Sequence, residues 1–182
     1  MGGFLSRLLG KKSTSASDMN QRAAETASLI MKEFVLADAS LPLDQNATAS
    51  LTESQGLALE NQRLLYGAAI VLMAVVEESR RNPAMEILRL EVERLMFPMS
   101  PDEGMPWLDQ VKRAMMNVLD LLQPSENPPK PMTWARSWLA EAGIDETNPV
   151  TCSLVAVHWM DYYVAVRAAL QDIGELWKKG DN

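Results

Sequence analysis

The chain has one cysteine and one histidine in 182 residues, and these two scarcities exclude much at once. Cys152 alone cannot close an internal disulfide, so a cystine-stapled secreted scaffold is out and a reducing compartment is the expected setting. His158 alone rules out any site built on two imidazoles. The two stand six positions apart, which is not a same-face spacing on a helix, so a Cys–His nucleophilic pair is poorly placed within one helix. With no basic residue close in sequence to activate it, Cys152 reads as a buried structural thiol.

Long apolar runs are missing too. The longest, Leu64 to Val76, has thirteen residues, short of the roughly 18 to 20 that a membrane-crossing helix needs. Phe4 to Leu9 is too short, and too broken by Ser6 and Arg7, to serve as a secretory signal. The sequon Asn46-Ala47-Thr48 is therefore not expected to carry a glycan. There is no Gly-rich phosphate loop, no strand-based nucleotide fingerprint, no internal repeat and no strong strand alternation.

Basic residues beyond the first twelve are scattered and mostly have acidic neighbours. The net charge is −7, while Arg7, Lys11 and Lys12 contribute three positive charges, so the remaining body is more acidic still. Phosphate backbones would repel it, which excludes nucleic-acid binding through a broad basic face. A basic protein surface is the partner such a body suits.

What the chain does have is helical spacing, with start and stop signals, over most of its length. At 47% hydrophobic and 23% charged residues it has the balance of a globular protein. We read it as all-α: a single domain, residues 18–182, of about six helices, preceded by a flexible tail, residues 1–17. Asp18 is placed to cap a first helix to about Ala39, with Ala23, Ala27, Ile30, Phe34 and Ala37 on one face. Ser50-Leu51-Thr52-Glu53 has the capping-box pattern and opens a long helix to about Arg81. Its middle, 64–76, is apolar on every side and should be the central helix of a bundle.

Asn82-Pro83 starts the next helix, to about Phe97. Pro98, Pro101, Gly104 and Pro106 then forbid regular structure. A further helix runs from Trp107 to Gln123, and residues 124–132 read as a polyproline-type connector. A short helix from Thr133 carries Trp134 and Trp138 and stops at Gly143. Asn148-Pro149 opens the last helix, to about Lys179.

Candidates for chemistry are few. His158 and Asp161 lie one helical turn apart, as a general base and its orienting carboxylate would; a boundary histidine satisfied by its neighbour fits equally, and we read it so. Glu77, Glu78, Glu86, Glu91 and Glu93 are the one dense carboxylate group and could in principle hold Mg²⁺ for a hydrolase. Arg80, Arg81, Arg89 and Arg94 sit at the offsets that turn them into surface ion pairs instead. No catalytic residue, metal ligand or cofactor is assigned.

The stronger candidates are apolar and border irregular segments. Met99 and Met105 bracket the first Pro-rich stretch and lead to Trp107, while the second leads to Met132, Trp134 and Trp138. Methionine adapts to uneven surfaces and tryptophan anchors interfaces, so these six are the expected partner-binding residues. In the tail, Phe4, Leu5, Leu8 and Leu9 share one helical arc with Arg7 and Lys11 beside it, and Lys12 follows. This is a miniature interfacial helix. Burying four apolar side chains gives on the order of 6 to 10 kcal/mol, and ordering the segment costs roughly as much, so its contact with an anionic membrane would be weak and reversible. Gly2 and Ser6 also meet the myristoylation pattern, which requires a eukaryotic acyltransferase.

The expected function is thus a non-enzymatic interaction protein of the adaptor, inhibitor or immunity type, cytoplasmic and held at times to the inner face of a membrane. The alternatives are the Mg²⁺-dependent hydrolase and a helical sensor with an apolar ligand cavity, which leaves no local motif.

Overall fold

A computed structural model describes residues 16–37, 51–96, 107–122, 130–144 and 148–180. Six α-helices and no strands are found among them, and the fold is an all-α bundle around a central helix. They are α1 (Ala16–Ile30), α2 (Glu53–Arg81), α3 (Glu86–Met96), α4 (Trp107–Leu122), α5 (Lys130–Glu141) and α6 (Pro149–Gly180). A π-helical turn, Met31–Val35, continues α1, and a 3₁₀ turn, Pro83–Met85, leads into α3.

The central helix is α2. Every residue from Tyr66 to Val75 is buried, because α3, α4, α5, α6 and the π turn all pack against it. An all-round apolar stretch can be stable only when covered on all sides. Its best 18-residue window has a mean hydropathy of 1.3, and 67% of that window is buried inside the protein. The apolarity of α2 is thus used in the core, where each buried Val, Leu, Ile or Met contributes about 1.5–3 kcal/mol as an upper estimate. The last helix, α6, packs against it and buries Val155, Trp159, Val166, Leu170, Ile173 and Trp177 in the core. One connected core joins all six helices.

The start signals need three corrections. Asp18 is not a cap: α1 already begins at Ala16, and Asp18 lies in its first turn, where a negative charge favours the helix dipole. The box at the start of α2 is shifted by two residues. Thr52 is the cap; the Gln55 amide donates to Thr52 Oγ1 at 3.3 Å, and the Thr52 amide donates to Gln55 Oε1 at 3.0 Å. And α5 begins at Lys130, not Thr133, so the last part of the expected connector is helical. Pro131 fits there because a first-turn residue needs no amide hydrogen.

Elsewhere the signals hold. Asn82 Oδ1 accepts from the Ala84 amide, and Asn148 Oδ1 accepts from the Val150 amide at 2.9 Å. Gly143 adopts a positive φ of 74°. It ends α5 in a turn where the Ile144 amide donates to the Leu139 carbonyl and the Gly143 amide to the Ala140 carbonyl, the paired bonds of a Schellman motif.

Candidate functional site

Seven rings form a continuous aromatic ladder through the bundle. Trp134 stacks on Trp138 at 6.4 Å between centroids, and Tyr66 meets Trp134, Trp138 and Trp159 at 5.7, 6.2 and 6.2 Å. Trp159 then contacts His158 and Tyr162, both at 5.6 Å, and Tyr162 reaches Phe34 at 6.4 Å. Most of these pairs are edge-to-face, the arrangement that ring quadrupoles favour. The indole nitrogens of Trp138 and Trp159 are buried without a hydrogen-bond acceptor, and the surrounding rings offer only the weaker N–H···π contact.

The ladder controls the polar groups inside it. Burial pushes the Tyr66 phenol up to about 12 from its ordinary 10.0, although Asn117 Nδ2 donates to its oxygen at 3.0 Å. Tyr162 is also raised by burial, and its hydroxyl donates to the Phe34 carbonyl inside the π turn. Arg63, itself buried, is held by Glu60 at 2.6 Å and donates to the Ala37 carbonyl at 3.0 Å. A carbonyl of the widened turn is therefore satisfied by a side chain from α6, and one two residues past its end by a side chain from α2. Gly67 lies beside this contact; an added Cβ there would be in ordinary van der Waals contact with the Tyr162 hydroxyl at 3.5 Å and the Phe34 oxygen at 3.7 Å.

His158 is half-buried against the edge of Trp159, and desolvation lowers its pKa, with Asp161 opposing that shift through its charge. Its environment is that of a boundary histidine beside an aromatic core. The glutamates of the α2–α3 corner are spread over separate partners. Arg89 bridges Glu86 and Glu93 at 2.6 and 2.5 Å, Arg94 holds Glu91 at 2.7 Å, and Glu77 meets Arg167 and the Tyr163 hydroxyl. Glu78 is buried beside Gly174 of α6. Among the described residues, no three His, Cys, Asp or Glu side chains come together as a metal site. Cys152 is buried in the core.

The proposed contact residues fall into three groups. Trp138 is only 1% exposed; it packs the interior among Tyr66, Trp134 and Trp159, which closes it to a partner. Trp107, Met132 and Trp134 are half-buried, with Trp107 and Trp134 packed on the core. Met99 and Met105 lie outside the described residues, as do the tail residues Phe4, Leu5, Arg7, Leu8, Leu9, Lys11 and Lys12.

The apolar surface that sequence reasoning missed is on α6. Val150, Leu154, Val157, Met160 and Val164 are all exposed, Val150 at 64% and Val164 at 62%. At 3.6 residues per turn their spacing puts them on one face, within an arc of about 120°. That helix is apolar on both sides, so spacing alone could not tell which stripe faces inward. No family model, curated protein or solved structure matches the chain; the class it belongs to is the all-α bundle defined by its own helices.

Proposed function

We propose that this is a non-catalytic helical interaction protein and that its docking surface is the exposed apolar face of α6. The observation that supports the reading is the row Val150, Leu154, Val157, Met160 and Val164, uncovered on a helix whose opposite side fills the core. Scattered apolar residues on a surface need no explanation, but a contiguous stripe marks an interaction site. The polar groups point the same way: among the described residues no three His, Cys, Asp or Glu side chains converge, and Glu60, Glu86, Glu91 and Glu93 are held in ion pairs. The half-buried edges of Trp107, Met132 and Trp134 remain available as secondary contacts, and the tail supplies the proposed weak membrane tether.

The test is affinity capture from lysate of the source organism with the full chain and its Val157→Asp variant side by side. A stoichiometric partner retained by the first and lost by the second supports the face as the docking surface. Identical recovery with both baits overturns it.

A further inference from the structure

We infer that α1 is a flap: it opens from α3 as a unit, hinged at the π turn that follows it, while the other five helices stay folded. The hinge, the contact that α1 makes and the support beneath it each favour such a motion.

The hinge end is fixed. The π turn packs on α2, and its Met31 and Val35 are buried. The Phe34 ring meets Tyr162 edge-on, the Tyr162 hydroxyl donates to the Phe34 carbonyl, and Arg63 donates to the Ala37 carbonyl just beyond. Side chains of α2 and α6 therefore pin the end of α1. Hydrogen bonding changes there from α to π spacing, an interruption at which a helix can bend.

The rest of α1 is held lightly. It packs on α3 and has at most slight backbone contact with the other helices. Of its described side chains only Ala23, Thr26, Ala27 and Ile30 are buried, so the one large apolar group it brings to the core, Ile30, lies beside the hinge. Each alanine buries a single methyl group, which contributes little. Thr26 is 0% exposed, yet its hydroxyl has no hydrogen-bond partner, and one turn earlier Arg22 Nε is also buried without one. A stranded polar group destabilises the state that buries it, and both groups regain water on opening. Towards α6 the guanidinium of Arg22 lies 5.4 Å from the Trp177 ring centroid, a cation–π contact with a side chain that keeps its place when α1 leaves.

Beneath the flap, α3 has its own support. It packs on α2 and on the 3₁₀ turn before it. That turn is capped by Asn82, which also donates to the Gly174 carbonyl of α6 at 3.0 Å. Opening therefore bares the side of α3 that α1 covers, together with the inner face of α1, and leaves the aromatic ladder in place. The closed and open forms share one core and differ in the apolar surface they present.

Native-state hydrogen exchange of the full chain, read amide by amide by NMR, tests this. The amides of residues 23–30 should share one level of protection, at least about a hundredfold below that of residues 66–75. The Leu36 amide, which donates to the Met31 carbonyl at 2.9 Å, should stay with the slow group. Thr26→Val keeps the shape and removes the stranded hydroxyl, so protection of residues 23–30 should rise about tenfold. Val118→Ala cuts into the core at α4, a helix with at most slight contact to α1. It weakens the closed and open forms alike, so it should lower protection of residues 66–75 about tenfold and leave residues 23–30 unchanged.

Equal protection of the two segments overturns the flap, and so does a loss in both with Val118→Ala, since α1 would then open only with the whole fold. Protection that climbs steadily from Ala16 to Ile30 overturns it too, by showing a fraying end in place of a hinged unit. A Leu36 amide that exchanges with residues 23–30 overturns the hinge, and a Thr26→Val variant with unchanged protection there overturns the part given to the hydroxyl.

Discussion

Tyr66 shows how a single side chain can tie this core to pH. Its phenol sits between three indoles and accepts one hydrogen bond from Asn117, so ionisation would place a charge among rings that cannot solvate it. The folded pKa is raised from 10.0 to about 12. A group of this sign contributes stability fully below its unfolded pKa, and that contribution is lost as pH rises through the folded value. Urea unfolding should therefore show stability falling between pH 10 and about 12. Tyr66→Phe, which cannot ionise, should have a flatter alkaline limb and cost about 1 kcal/mol at neutral pH through loss of the Asn117 bond. An unchanged alkaline limb in Tyr66→Phe would place the sensitivity elsewhere.

Among the elements, α2 and α6 differ in how they use glycine. An added Cβ at Gly56 of α2 meets nothing within 4 Å, whereas at Gly174 of α6 it would stand 2.6 Å from Glu78 Oε1 and 3.4 Å from Asn82 Nδ2. Asn82 Nδ2 also donates to the Gly174 carbonyl at 3.0 Å, so the missing side chain lets α2 and α6 touch through polar groups. Gly56→Ala should raise stability by about 0.5–1 kcal/mol, the ordinary helix gain. Gly174→Ala should forfeit that gain by displacing the buried Glu78. Thermal unfolding of the two variants checks the contrast, and equal stabilisation by both would mean that Glu78 moves aside freely.

The elements also show what the sequence made legible. Asn82-Pro83, Asn148-Pro149 and Gly143 act within a few residues of themselves, so their signals could be read locally and hold in the fold. The start of α2 offered two overlapping patterns, Ser50 with Glu53 and Thr52 with Gln55. One further contact favours the second: Gln55 Nε2 donates to the Gly143 carbonyl, 88 residues away. The π turn was invisible for the same reason, since its Phe34 carbonyl is satisfied by Tyr162 from α6. Trp138 was misjudged and the α6 stripe missed because composition marks a residue as apolar without saying which neighbour covers it.

For the whole molecule, the exposed stripe and the core are two readings of one helix. Val155 and Val157 are the same residue type two positions apart on α6; the first is fully buried and the second 50% exposed. Measured by urea unfolding, Val157→Asp should stay within about 0.5 kcal/mol of the parent. Val155→Asp should fail to fold, because it strands a carboxylate in the core. Equal tolerance of both would place the core boundary of α6 elsewhere.

The clamp made by Gln55 has a consequence for motion. Helix ends ordinarily fray, opening and closing many times without disturbing the rest of a protein. At the start of α2 the capping side chain also holds the exit turn of α5 at 2.7 Å, so one cannot loosen without releasing the other. The Thr52 and Gln55 amides, which the cap engages, should then exchange their hydrogens in step with the detachment of α5, a shared opening rather than a private one.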